Sequence, residues 1–328
     1  MAIGSGLGAQ LGISAESVYG TYAAPTRFVE FTKEGLQLKK TTAQSAGIAP
    51  GRLLARSSRR VVTRREASGS VDLEIANRGM GLLFQALMGT SVTPVQQAAT
   101  TAYRQSHVLV DTAGKSLTIQ KGVPLTTGTV TDKTFVGCKI VSAELSCEVG
   151  GMLTGTFEFD AKDCDETQTL VVASYPVAAP YHFGQMAVKT GAYGAEVARD
   201  GIRKLSVKIE RPQAVERFYA GASGLKAEPI SNDLVKVSGT LEGDYVDTIL
   251  DDLHTSDAGT SLVWEFIGPE IATGYDETFR VSLPSIHVDD APPTVDGYDV
   301  VKPSFNFTGL ADATNLPTIE IMSTESTL

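Results

Sequence analysis

Apolar and polar residues alternate over short stretches along most of the chain, and clusters of turn residues separate them. In SGSVDLEI (68–75), Val71, Leu73 and Ile75 alternate with Asp72 and Glu74, which predicts a strand with one buried face. FVEFTKEGLQLKK (28–40) alternates on both sides of Glu34-Gly35 and predicts two strands or one bulged strand. Shorter candidates lie at 107–110 and 116–119, and stronger ones at 135–147 and 154–161, with Gly150-Gly151 as a hairpin turn between the last two. Residues 205–210 and 262–267 add strands in the second half. At two places the period lengthens to that of a helix. Met80, Leu83, Phe84, Leu87 and Met88 fall on one helical stripe, with Asn77 as a cap and Gly89 as a left-handed stop. Val246, Ile249, Leu250 and Leu253 form a second stripe, with Asp247 near its start. Plain amphipathic helices covering a sheet account for both. The pattern predicts a mainly β protein of two β-sandwich or partial-barrel units, each flanked by a short α-helix.

The count of two rests on a repeat. Five landmarks recur in one order: Glu34-Gly35 and Asp200-Gly201, Ser68-Gly69 and Ser238-Gly239, the two helical stripes, Thr134-Phe135 and Thr278-Phe279, and Phe157-Glu-Phe159 and Phe305-Asn-Phe307. From Met80 to Val246 the shift is 166 positions and from Ser68 to Ser238 it is 170, so the second connection is four residues shorter. The collinearity predicts a tandem duplication. It divides the chain into an arm (1–27), a first unit (28–165), a linker (166–180) and a second unit (181–328). The arm is rich in glycine, but its spacing fits no phosphate-binding loop. It reads as an extended segment that packs on a neighbouring subunit.

Charge sharpens the picture. The 328 residues carry a formal net charge of -10, which disfavours a grip on nucleic-acid phosphates and leaves open a channel through which DNA passes without sticking. The charge is unevenly spread. From Gly35 to Arg65 there are eight basic residues and no acidic one: Lys39, Lys40, Arg52, Arg56, Arg59, Arg60, Arg64 and Arg65. The Ala, Gly, Pro and Ser content of 41–65 predicts a long mobile loop or hairpin. It carries no aromatic residue for stacking on bases, and an acidic protein surface fits it as well. Between Lys236 and Lys302 the balance reverses. Arg280 is the one basic residue among fourteen acidic ones, including Glu242, Asp244, Asp247, Asp251, Asp252, Asp289 and Asp290. If copies pack together, a basic loop and an acidic face would steer them and fix their register. Unrelated solvated patches are the alternative.

Catalytic chemistry finds little support. Cys138, Cys147 and Cys164 match no zinc or redox spacing and read as buried thiols in a reduced compartment. His107, His182, His254 and His287 lie far apart, without ligand-spaced partners. His254 beside Asp251-Asp252 could serve a metal-dependent hydrolase, but adjacent side chains on a helix diverge, and solvated surface is the better reading. His287 before Asp289-Asp290 reads the same way. A binding or adhesion module on a phage or bacterial surface would want exposed aromatics. The single tryptophan, Trp264, instead sits in a strand pattern suited to the core. No enzyme, cofactor or metal is expected. The N-terminal stretch lacks a secretory pattern, and no window approaches the roughly 18 apolar residues of a membrane span, so synthesis in the cytoplasm is expected.

One resemblance joins these features. GLGAQLGISAESVYGTY (6–22), followed by Phe28-Val-Glu-Phe and Glu34-Gly-Leu, is similar to the opening of the major tail (tail tube) proteins of long-tailed, non-contractile bacteriophages. Gly69-Ser-Val-Asp-Leu-Glu running into GLLFQALMG (81–89) resembles them too, so the likeness covers most of 1–165. It implies a β-sandwich or partial barrel with a flanking helix. It also implies rings whose inner sheets line a channel for DNA, stacking through a long loop and terminal arms. In that picture 41–65 is the inter-ring loop, and 70–75, 139–147 and 154–160 compete for the channel wall. The implied partners are further copies of the chain, a tape-measure protein and tail-end or baseplate proteins. Family rings usually hold six single-unit subunits. Two units per chain predict a trimeric, pseudo-hexameric ring, with a true hexamer as the alternative.

Overall fold

The computed structural model describes residues 3–290, 295 and 297–328. The first half contains β1 (Gln10–Ala15), β2 (Arg27–Phe28), β3 (Lys33–Glu34), β4 (Gln37–Gln44), β5 (Arg60–Glu74), α1 (Gly81–Met88), β6 (Val95–Gln96), β7 (Tyr103–Val108), β8 (Leu117–Pro124), β9 (Val130–Glu148), β10 (Thr154–Ala161) and β11 (Asp163–Asp165). The second contains β12 (Met186–Gly191), β13 (Val197–Ala198), β14 (Ile202–Glu210), β15 (Gln213–Ala214), β16 (Ile230–Ser231), β17 (Lys236–Gly243), α2 (Ile249–Ser256), β18 (Thr260–Ala272), β19 (Tyr275–Val288), β20 (Ser304–Leu310) and β21 (Thr318–Ser323). The protein is mainly β, with antiparallel sheets stacked as a sandwich.

The strands form two sets with the same pairing order. In the first, an outer sheet runs β2–β1–β8–β9–β11 and an inner one β4–β5–β10–β9. In the second, the outer order is β13–β12–β18–β19–β21 and the inner β14–β17–β20–β19. In each set one long strand, β9 or β19, serves both sheets. Beside β10, β9 shifts register at Glu158/Phe159, and such a bulge bends a strand so that it can leave one sheet for another. The apolar sides of the strands make the core, from Val71, Phe157 and Ile119 in the first set to Leu241, Phe307 and Trp264 in the second.

Two landmarks occupy equivalent places in these ladders. Gly69 pairs with Phe159 and Gly239 with Phe307. Both glycines are required by close approach: a Cβ at either would lie 2.3 Å from a carbonyl oxygen of the neighbouring strand, Gly35 or Ser206. Thr134-Phe135 and Thr278-Phe279 likewise place a buried phenylalanine on the outer half of β9 and β19. The remaining dipeptide differs. Leu38 pairs with Ala67 and Ile209 with Val237, so strand register sets Gly35 beside Ser206 rather than Gly201. Turn dipeptides recur in any β protein, and this pair matched by composition alone.

Two further expectations change. Residues 10–15 of the expected arm form β1, held between β2 and β8 with Leu11 and Ile13 buried, because their alternation matches a strand face. Asn77 does not cap α1, whose N-cap position is Met80. It exchanges backbone and side-chain hydrogen bonds with Ala179 and donates from Nδ2 to Glu277 on β19. Gly89 does end the helix, at φ 90°.

The two sets are joined three times. On the inner sheet β9 pairs with β14, from Ser142 opposite Glu210 to Glu148 opposite Lys204. The eight inner strands β4–β5–β10–β9–β14–β17–β20–β19 are therefore continuous. On the outer side β7, from the first half, pairs with β21. Between the layers lies α1, whose Phe84 meets Phe157 of one set and Phe279 of the other.

Candidate functional site

The inner sheet turns one face to the core and the other outward. The outward positions are Ser, Thr, Asn, Glu, Asp and Lys, because the alternation that buries Val71, Phe157, Leu145, Val207, Leu241 and Phe307 exposes their neighbours. Glu66, Asp72, Glu74, Glu144, Glu148, Glu158, Glu210 and Glu242 stand there against Lys33, Lys39, Lys204, Lys208 and Lys236. The face is thus broad, polar and net acidic. Cross-strand pairs of opposite charge cross the joint, Lys208 opposite Glu144 and Lys204 opposite Glu148, and such pairs help set register. Strands 70–75, 139–147 and 154–160, expected to compete for a channel wall, all contribute to this face.

The joint itself is tightly closed. Arg211, at the end of β14, is 3% exposed and donates to the carbonyls of Leu87 (2.7 Å) and Val110. It thereby places a cation at the C-terminal end of α1, where the helix dipole favours one. Burial pulls its guanidinium pKa down, opposed by Asp111. The segment between β14 and β17 then folds over the first set. Lys226 is buried and reaches Asp160 (2.5 Å) and Glu66 (3.4 Å), while Lys139 of β9 reaches Glu228 (2.5 Å) in that segment. Burial pushes the Asp160 carboxyl up, and the Lys226 ammonium opposes the shift. At the outer joint His107 is fully buried beside Phe84, with Nε2 3.3 Å from Gln105 Oε1. Burial lowers its pKa to about 4.

The basic stretch 41–65 is a protruding hairpin. β4 extends to Gln44 and β5 starts at Arg60, leaving 45–59 as the connection. The six arginines expected to make an inter-ring loop divide into two groups. Arg52, Arg59 and Arg60 are exposed and Arg56 is half-buried, all at the tip. Arg64 and Arg65 sit at the base. Arg64 pairs with Glu216 (2.8 Å) and lies over Phe218, and Arg65 pairs with Asp163 (2.8 Å). The tip also bears Ile48 and Leu53, 102% and 100% exposed, beside Leu54. Apolar side chains presented so fully on a charged hairpin suit burial against another surface.

The acidic group gathers around α2. Only Glu242 lies on the sheet face, 3.2 Å from Lys204. Asp244 approaches Arg203 (3.8 Å), and Asp247 pairs with Arg199 (3.2 Å) and accepts from the Ile249 amide. Asp251 accepts from the Tyr245 hydroxyl and Asp252 from Thr248. His254 Nδ1 faces the Val288 carbonyl (3.1 Å), away from both aspartates. The three residues considered for hydrolysis are therefore not convergent. Among the described residues no group of three His, Cys, Asp or Glu could hold a metal ion. The three cysteines are buried free thiols, and Trp264 is in the core.

The helical stripes fare differently. Met80, Leu83, Phe84 and Leu87 are all buried. Of their counterparts, Leu250 packs partly against the core and Leu253 is half-buried, while Val246 and Ile249 are exposed. Sequence reasoning missed Arg211, Lys226 and Lys139. Their strand and loop contexts look like ordinary surface positions. It also missed the lysines of β14, although the alternation of IRKLSVKIE carried that signal.

No helix among the described residues is long and apolar enough to cross a membrane. No curated protein matches the chain. A family profile described as phage tail tube protein matches residues 6–309. This match agrees with the sandwich architecture. The chain belongs to the phage tail tube protein family, a structural component of the bacteriophage virion tail.

Proposed function

We propose that the chain assembles with copies of itself into rings that stack into a tail tube, and that three chains close each ring. The observation that carries this reading is the eight-stranded inner sheet, built from two sets of four strands paired in the same order. An internal duplication accounts for that order, and three such chains supply six equivalent sets around a pseudo-sixfold axis. The polar, net acidic face lines the channel, and like charge lets DNA pass without adhering. Continuity of the sheet between chains removes the exposed β4 edge, which would otherwise invite disordered pairing.

The basic hairpin, with Ile48, Leu53 and Leu54 at its tip, reaches the neighbouring ring. A tape-measure protein sets the stack and tail-end proteins close it, in a non-contractile tail made in the host cytoplasm. Negative-stain microscopy of purified protein under assembly conditions tests the reading. Stacked hollow rings with threefold class averages, and a native mass of three chains per ring, are expected. Persistent monomers count against assembly, and six chains per ring against the trimer. Deleting 47–60 leaves rings that do not stack; tubes of normal length in that variant remove the inter-ring role of the hairpin.

A further inference from the structure

The internal joint has two unmatched halves elsewhere in the chain. β14 is gripped on one side by β17 and on the other by β9, whereas β4 pairs only with β5 and all its residues but Leu38 are exposed. The registers make the correspondence specific. Lys39 is opposite Glu66 as Glu210 is opposite Lys236, so the next residue, Lys40, stands where Arg211 stands. Arg211 places its cation at the end of α1. Lys40 is exposed, and among the described residues no helix of its own chain ends beside it. Conversely α2, eight residues long like α1, has no lysine or arginine in its last turn; His254 lies there, and His287 Nδ1 is 3.2 Å from the C-cap residue Asp257. Asp257, in the left-handed conformation at that C-cap, keeps a 90% exposed side chain beside His287, and the chain runs on from His287 to Asp289 and Asp290 just past β19. The strand that offers a lysine and the helix end that has none lie at opposite ends of the eight-stranded inner sheet.

We infer that the contact between neighbouring chains in a ring copies the joint inside each chain. The basic β4 strand of one copy packs against α2 of the next, with Lys40 at the C-terminal end of that helix beside Asp257. The occupant of the α2 face is a second copy of this chain. Charge complementarity favours that occupant, and so does continuity with an interface already present within the molecule. Exposed Val246, just before α2, and Ile249 would be covered as their counterparts Met80 and Leu83 are covered at α1. The copy is incomplete in one respect. Between α2 and β18 there are only three residues, so no second-half strand corresponds to β7, and the contact between chains lacks the outer strand pair that β7 and β21 make within one. A ring would thus alternate fuller and leaner joints.

This inference rests on the ring reading, and its test separates the two. The native cysteines are all buried, so an engineered pair reports cleanly. The double variant Lys40→Cys/Asp257→Cys is assembled and then mildly oxidised. Crosslinked species that build up to closed rings, in material that shows rings by microscopy, are expected. Rings without this crosslink, or with Asp257→Cys joined instead to Leu53→Cys of the hairpin tip, overturn the joint and leave the ring reading standing. A wild-type chain that forms no rings overturns the ring reading itself. Charge reversal supplies a second measure. Lys40→Glu lowers ring yield about tenfold or more at low salt, and adding Asp257→Lys restores it. Loss without rescue, with folding unchanged by circular dichroism, also overturns the pairing.

Discussion

Helices α1 and α2 have the same length, come after the same kind of strand and end on a residue in the left-handed conformation, Gly89 or Asp257. Their surroundings differ completely. Every apolar residue of α1 is buried, because β9, β7 and β1 of the first half back it and β21, Phe279 and Arg211 of the second close over it. No residue of α2 is fully buried. One helix lies between two strand sets and the other beside β19, at one end of the inner sheet. An apolar stripe alone therefore does not decide burial; the elements that pack over it do.

The sharpest way to break this comparison is to truncate the same kind of residue in both helices. Phe84→Ala should lower stability by about 4 kcal/mol in denaturant unfolding, since it opens a cavity bordered by Phe157 and Phe279. A loss below about 1 kcal/mol would mean that α1 is not the keystone of the two sets. Next in size is Arg211→Met, expected to cost roughly 3 kcal/mol through two carbonyls that lose a charged donor. Chemical denaturation measures it, and an unchanged midpoint would place the stabilisation elsewhere.

A third test uses acid. His107 is held neutral in the folded chain, with its pKa lowered to about 4, whereas the unfolded chain titrates near the ordinary 6.5. Between those values the unfolded state binds more protons, so stability is full above about 6.5 and falls as pH drops toward 4. The loss is on the order of 2 kcal/mol, and His107→Asn should flatten that part of the profile. A wild-type profile already flat from pH 6.5 to 4 contradicts the burial assigned to His107. The smallest effect on folding belongs to α2. Ile249→Ser should change monomer stability by no more than about 0.5 kcal/mol, yet reduce ring yield by light scattering and microscopy. Normal assembly in that variant would make α2 mere surface.

Much of this was legible in the chain. The strands of 68–75, 154–161 and 205–210 come from alternation, and both helical stripes from their spacing. The Ser-Gly and Phe-x-Phe landmarks proved informative because Gly69 and Gly239 each face a phenylalanine across a strand pair, a contact that constrains both residues at once. Glu34-Gly35 and Asp200-Gly201 were not, since a turn dipeptide constrains only itself. The basic run 41–65 announced a hairpin but concealed that Arg64 and Arg65 are tied down at its base, because their partners, Glu216 and Asp163, are remote in sequence. The β9–β14 joint was illegible for a related reason: Lys204 and Lys208 look like any solvated positions until Glu148 and Glu144 stand opposite them.

The sequence by itself determined the class of structure and the strand faces, because period and turn chemistry are local properties. Only the tertiary structure decided which edge meets which, that Arg211 and not Asn77 secures an end of α1, and that one helix is core while its counterpart waits at the surface. Those outcomes depend on pairings between residues up to some 200 positions apart, such as Asn77 with Glu277, and no local pattern encodes a partner at that distance.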